Sequence, residues 1–136
     1  LIIHEGQITW ANEGLHLILD LGEWWFELTG LPLPLGGNVV RRSLGEETCM
    51  RVAEDIKHSI HYSLSNPESA LEFAKEWGRG IDDDTNREFV GMYVNQRTLD
   101  YGEDGREAVR RFLREGQRIG VIDISFDVDG IEFIGS

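Results

Sequence analysis

Cysteine is nearly absent from the sequence, since Cys49 is the only one among 136 residues. No internal disulfide can form, and no Cys-x-x-Cys metal motif exists. A lone cysteine fits a reducing compartment, and we expect a cytoplasmic protein. Long apolar runs are absent too, because no stretch approaches the roughly 20 residues that a helix needs to cross a bilayer. The sequence therefore predicts neither a disulfide-stabilised domain nor a membrane-spanning helix.

Basic residues are scarce, with 13 Lys and Arg against 25 Asp and Glu, which gives a net charge of -12. This balance argues against nucleic acid and against an anionic membrane surface as partners. It does not exclude a small anionic ligand, because a nearby arginine dominates the field over a few ångströms. Glycine-rich phosphate loops are missing. His58 and His61 lack the sequence context of a zinc site, so we predict no metal site.

Hydrophobic periodicity predicts few strands and many helices. The predicted helices span residues 23–30, 46–64, 67–77, 82–94 and 104–119. Strands are predicted at 1–3, 14–22 and 38–42, and the alternating residues 122–128 predict an outer strand or a hairpin. The predicted fold class is α/β, with one unit over residues 1–136. Because the chain begins inside a strand-like run, we expect it to be a piece of a longer polypeptide.

A histidine follows the first apolar run, in the string IHEGQ (residues 3–7). An imidazole titrates near neutral pH and is the commonest general acid or base in enzymes, so His4 is the candidate catalytic residue. Gly6 would let the backbone approach a ligand closely. The alternative is a histidine in a surface turn with no catalytic task.

The string PLPLGGNVVRR (residues 32–42) contains the candidate substrate-binding residues. Two prolines exclude a helix interior or a central strand, which predicts a crossover or hinge segment over 31–45. The two glycines of this string permit positive φ, and the side-chain amide of its asparagine supplies hydrogen-bond donors and an acceptor. One of its two arginines could bind a carboxylate through two hydrogen bonds. The candidates are Gly36, Gly37, Asn38 and Arg41, with Arg42 as the other choice of arginine. The alternative is a structural crossover with solvated arginines.

A polar segment, YVNQRTLDYG (residues 93–102), joins two predicted helices. Its Asn95, Thr98, Asp100 and Tyr101 could line a polar pocket. Side chains of these types also cap helices, and capping is their more frequent use. Both interpretations stay open at this point.

Four strings together identify a family resemblance: IHEGQ, DLGEWW, GLPLPLGGN and TLDYG, in this order. They resemble the 1,4-dihydroxy-6-naphthoate synthases of the futalosine route to menaquinone. The resemblance implies two α/β lobes of the type II periplasmic-binding-protein kind, of which this chain would form one lobe and the return segment. It implies a lyase that converts cyclic dehypoxanthinyl futalosine, releases a three-carbon fragment, and uses no metal or organic cofactor. It also implies that His4 is the catalytic base.

The resemblance further implies a chain about twice this length, with an N-terminal lobe of the same protein as the partner of this one. We therefore expect the 136-residue chain to be inactive alone and prone to self-association through apolar surface that the partner lobe covers. Two alternatives remain. One is a non-catalytic lobe of a solute-receptor-like protein that binds a small carboxylate, and the other is the related chorismate dehydratase.

Overall fold

The computed structural model describes residues 1–4, 6–75 and 82–135. Regular structure in these ranges consists of α-helices and one 3₁₀ turn, Arg42–Leu44. The helices are α1 (Gly6–Thr9), α2 (Leu21–Thr29), α3 (Glu46–Ser65), α4 (Pro67–Lys75), α5 (Asp83–Tyr93), α6 (Gln96–Leu99) and α7 (Gly102–Arg118). Within the described part of the chain, no helix is both long and apolar enough to cross a membrane.

The chain divides into two compact units. The first consists of Leu1–Ile18 and Ile56–Leu99, and the second of Leu19–Asp55 and Asp100–Ser136. The division falls within the long helix α3. The predicted single α/β unit with a hinge over 31–45 stays a prediction.

In the first unit, α4 packs against α5. Leu71 of α4 and Asn86 of α5 are buried. Two parallel hydrogen bonds join Arg87 to Glu68, at 2.9 Å and 3.2 Å. Both side chains are largely exposed, so this ion pair adds at most about 1 kcal/mol to stability. The ion pair is therefore a minor contribution beside the burial of Leu71.

In the second unit, the buried apolar residues come from separate parts of the chain and are Trp25, Cys49, Ala108 and Val128. The ring of Trp25 meets the ring of Phe112 edge-on, with centroids 5.5 Å apart. The thiol of Cys49 donates to the backbone carbonyl of Arg41 at 3.5 Å. The first contact connects α2 to α7, and the second connects α3 to the segment that precedes it.

The helix ends follow from local sequence signals. Asp20 accepts hydrogen bonds from the backbone N–H groups of Gly22 and Glu23 and so caps α2, which ends at Gly30 in the left-handed conformation. Asp82 caps α5, and its hydrogen bond with the Thr85 side chain lowers the pKa of its carboxyl group. The predicted helices are confirmed with small shifts of their ends. The helix predicted over 67–77 extends to Trp77, which lies outside the described residues.

The predicted strands are wrong in this structure. Residues 1–3, 15–20 and 32–41 are outside regular secondary structure, and 122–128 form turns and bends. A strand is predicted at 14–22, yet the side chains of residues 15–19 are exposed. A strand exists only when another segment pairs with its backbone, and the described residues provide no such pairing for these segments. Strands of the complete protein would need pairing that the described part of this chain does not supply, so the α/β fold class stays a prediction.

Gly45 joins the 3₁₀ turn to α3 with φ 84° and ψ 152°, a conformation that is almost restricted to glycine. A Cβ atom there would meet no other atom within 4 Å, so the effect of a substitution is confined to the backbone. We expect Gly45→Ala to lower the free energy of unfolding by about 1–3 kcal/mol.

Gly91→Ala is the matched control for this prediction, since Gly91 lies inside α5 in equally open space and without positive φ. It should raise the free energy of unfolding by roughly 0.5–1 kcal/mol, because alanine favours the helix. Urea denaturation of the two variants measures both changes. A neutral Gly45→Ala variant would contradict the backbone argument.

Candidate functional site

His4 lies in a tight turn between residues 1–3 and α1. Its φ is 58°, and it is the one non-glycine residue with positive φ among the residues that the structure describes. A left-handed conformation costs about 1–2 kcal/mol for a residue with a Cβ atom. The His4 carbonyl accepts a hydrogen bond from the backbone N–H of Gln7 at 3.0 Å, and the residue is exposed. The candidate base therefore occupies an unfavourable backbone conformation that its surroundings must hold.

Gly6 contributes to this turn through a close contact with Ile2. A Cβ atom at Gly6 would lie 2.5 Å from the Cγ2 atom of Ile2, closer than real Cβ contacts allow. The side chain of Ile2 occupies the space beside the Gly6 Cα, so any larger residue at this position would have to displace it. That Gly6 lets the backbone approach a ligand stays a prediction.

The His4 ring lies beside one aromatic side chain of α5, which in turn packs against a second. The Phe89 ring lies 6.4 Å from the His4 ring, and the Tyr93 ring lies 5.1 Å from that of Phe89. The side-chain amide of Gln7 donates to the Tyr93 hydroxyl at 3.3 Å. We call His4, Gln7, Phe89 and Tyr93 the His4 cluster. Both aromatic residues lie within the helix predicted over 82–94, but nothing in the sequence indicates that this helix approaches His4.

In the second unit, Gly36 and Gly37 of the string GLPLPLGGN do not have positive φ, so the predicted reason for their presence is wrong. The first glycine of the string, Gly30, has a φ of 70° and ends α2. A Cβ atom at Gly37 would lie 3.3 Å from the Tyr101 hydroxyl, whereas Gly36 faces open space. The strings GLPLPLGGN and TLDYG therefore meet at the contact between Gly37 and Tyr101.

Tyr101 is held by an aromatic and cationic stack. Its ring lies 6.0 Å from that of Phe133, and the Arg110 guanidinium stands 5.1 Å from the centre of the Phe133 ring. Beside it, the Asp100 carboxylate accepts from the Gly102 backbone N–H and from Arg106, both at 2.9 Å. These contacts fix the hydroxyl of Tyr101 next to the glycine segment.

The remaining candidates, Asn38 and Arg41, are exposed in the second unit. Arg42 donates to the Glu132 carboxylate at 2.6 Å, which neutralises its charge locally. The Arg41 guanidinium forms no ion pair with the residues in the described ranges. Of the two arginines, Arg41 is therefore the one that is available to bind an anion.

The polar residues between α5 and α7 form hydrogen bonds to nearby backbone. The Asn95 side chain accepts from the Arg97 N–H at 3.0 Å, and the Thr98 hydroxyl donates to the Tyr93 carbonyl at 2.8 Å. The Asp100 carboxylate accepts from the Gly102 N–H, as described above. The capping interpretation is confirmed for Asn95, which precedes α6 and accepts from its second residue. Thr98 and Asp100 hydrogen-bond to nearby backbone, and α7 begins after Tyr101 without a side-chain cap.

The candidates fall in different units, with His4 in the first and Gly36, Gly37, Asn38 and Arg41 in the second. Their assignment to one site stays a prediction. In the ranges described, no group of three or more His, Cys, Asp or Glu residues is placed to hold a metal ion.

Comparison with known protein families decides the relationship of this chain. A family model described as menaquinone biosynthesis matches residues 1–118. The chain belongs to the menaquinone biosynthesis family. All five candidate residues lie within the matched part, and the turns after α7 lie beyond it.

Two curated proteins with the same printed name resemble this member of the menaquinone biosynthesis family. A 1,4-dihydroxy-6-naphthoate synthase from Thermus thermophilus is 41% identical over 121 residues, which cover 89% of this chain and 44% of the relative. Another from Streptomyces coelicolor is 38% identical over 122 residues, which cover 90% and 43%. The chain thus spans less than half the length of these relatives.

A crystal structure of a protein from Archaeoglobus fulgidus is similar as well. Its sequence is 39% identical, and the TM-score is 0.84 over 89% of this chain and 46% of the archaeal one. The backbone of this family member therefore matches about half of a solved structure.

Proposed function

We propose that the protein of which this chain forms part is a 1,4-dihydroxy-6-naphthoate synthase, a cytoplasmic carbon–carbon lyase of menaquinone biosynthesis. Its substrate would be cyclic dehypoxanthinyl futalosine. The supporting observation is the identity of about 40% to two proteins of that name across nine-tenths of this chain. We also propose the type II periplasmic-binding-protein-like α/β fold for the complete protein.

The proposed chemistry needs a proton taken from the substrate and a proton returned. Cleavage of a carbon–carbon bond releases a three-carbon fragment, and aromatisation of the remaining ring favours the products. His4 is the proposed general base, since an imidazole accepts a proton at neutral pH. Its exposed, strained turn supports this role, because residues held in unfavourable backbone conformations cluster at functional sites.

Substrate binding is proposed for the segment that contains Gly36, Gly37 and Asn38, together with Arg41. The guanidinium of Arg41 carries a charge that no described carboxylate neutralises, and it could bind a carboxylate of the substrate through paired hydrogen bonds. Tyr101 extends this candidate set, since its hydroxyl touches Gly37.

The partner that we propose for this chain is the remaining part of the polypeptide that its relatives contain. The apolar side chains of the segment 15–19 support this, because Leu15, Leu17, Ile18 and Leu19 are 48%, 57%, 97% and 55% exposed. A contiguous apolar segment of this kind is typical of a surface that another part of a protein covers.

The test is turnover of the cyclic substrate by the protein expressed at the full length that its gene encodes. Mass spectrometry should detect 1,4-dihydroxy-6-naphthoate and the three-carbon fragment in equal amounts. Residues 1–136 alone should show no turnover. Substrate binding without product would favour a receptor-like protein, and turnover of chorismate instead would assign the related dehydratase activity.

A further inference from the structure

The His4 turn contacts α5 at two separate points. The first is the contact of the His4 ring with Phe89, and the second is the hydrogen bond from the Gln7 side chain to Tyr93. Gln7 also donates its backbone N–H to the His4 carbonyl. Because Phe89 and Tyr93 are four residues apart on one helix, they lie on the same side of α5. The turn is therefore connected to α5 in two ways, through the His4 ring and through the Gln7 side chain.

These two contacts constrain the backbone and the ring of His4, which together determine the direction of the imidazole. The Gln7 side chain connects the turn, and with it the left-handed backbone of His4, to a rigid helix. Phe89 occupies one side of the imidazole. Since His4 is exposed, few other contacts restrict its ring. Without the hydrogen bond to Tyr93, the turn could relax towards a more favourable φ and the imidazole would point elsewhere.

We propose that Gln7 and Tyr93 are positioning residues, which hold the His4 turn against α5 and thereby fix the orientation of the imidazole. The catalytic consequence rests on the proposed function. The inference that Gln7 and Tyr93 hold the turn does not rest on the proposed function, because it concerns only the stability of the turn. The two residues act through His4 and need no contact with the substrate.

The experiment compares Tyr93→Phe, Gln7→Leu and the double variant in the full-length protein. Tyr62→Phe is the control, because Tyr62 is a tyrosine of the same unit that is 63% exposed. Amide hydrogen exchange at position 7 reports opening of the turn, since this N–H is bonded to the His4 carbonyl. We expect exchange to accelerate about fivefold in each single variant and not in the control.

Steady-state kinetics provides the second measurement. Each single variant should lower kcat about three- to tenfold with KM changed less than about twofold, as expected for a misplaced catalytic group. The double variant should be no worse than the more affected single variant, because both remove the same hydrogen bond. Unchanged exchange in both single variants, or additive losses in kcat, would overturn the proposal. Absence of turnover in the wild type would count against the proposed function, while the exchange rates would still decide the positioning contact.

Discussion

Replacing His4 with alanine should lower kcat by about 10²- to 10⁴-fold in the full-length protein, the usual contribution of a positioned general base. Affinity for the substrate should stay within a factor of a few, because the imidazole acts on the reacting proton more than on binding. Stopped assays of naphthoate formation measure kcat, and calorimetric titration with the substrate measures affinity. A variant that keeps full turnover would exclude His4 as the base.

His4→Gly separates the chemical role of this residue from its structural effect. Both variants remove the imidazole and should be equally inactive. Glycine adopts a φ of 58° without penalty, so His4→Gly should be more stable than His4→Ala by about 1 kcal/mol. Equal free energies of unfolding in the two variants would show that the left-handed turn is absent from the protein in solution.

The helices could be predicted from the sequence because their signals are local. Gly30 ends α2, Pro67 begins α4, and Asp82 caps α5, as residue type and position indicate. Asn66 shows the limit of such signals. An asparagine directly before a proline at the first position of a helix is typical of an N-cap, yet the Asn66 side-chain amide donates backwards to the Tyr62 carbonyl at the end of α3. A short polar side chain between two helices can serve either one, and sequence alone does not decide which.

The strands could not be predicted reliably, for a physical reason. An apolar run such as 15–19 indicates burial, but a strand also needs a neighbouring segment whose backbone pairs with it. The residues of the apolar run do not indicate whether such a neighbouring segment is present. The exposed side chains of Leu17 and Ile18 show that the described residues do not cover this segment. The proposed contact with further polypeptide would account for its apolar character.

The candidate site was only partly predictable. The candidate role of His4 follows from residue type and motif, whereas its left-handed backbone could not be predicted, because no glycine at that position indicates it. The glycine pair at 36–37 predicted positive φ, but within 31–45 that conformation occurs at Gly45. The sequence predicts a helix over 82–94, and only the structure places His4 beside Phe89 of that helix.

Trp25 is the large aromatic side chain at the centre of the second unit, being 4% exposed and in edge-on contact with Phe112. Its indole N–H is buried and has no acceptor among the described residues. Its neighbour Trp24 is 45% exposed on the same helix. Two adjacent tryptophans thus differ in environment, which makes them a matched pair for a stability measurement.

Trp25→Ala should lower the free energy of unfolding of the second unit by about 3–5 kcal/mol, since it removes a buried aromatic side chain and leaves a cavity. Trp24→Ala should lower it by less than about 1.5 kcal/mol, because roughly half of that side chain already contacts solvent. Trp25→Phe should be much milder than Trp25→Ala, because it keeps the aromatic contact and removes a polar N–H that has no partner. Urea denaturation followed by circular dichroism ranks the three variants. Equal losses for Trp24→Ala and Trp25→Ala would contradict this packing, and a Trp25→Phe variant as unstable as Trp25→Ala would show that the indole N–H has a partner in solution.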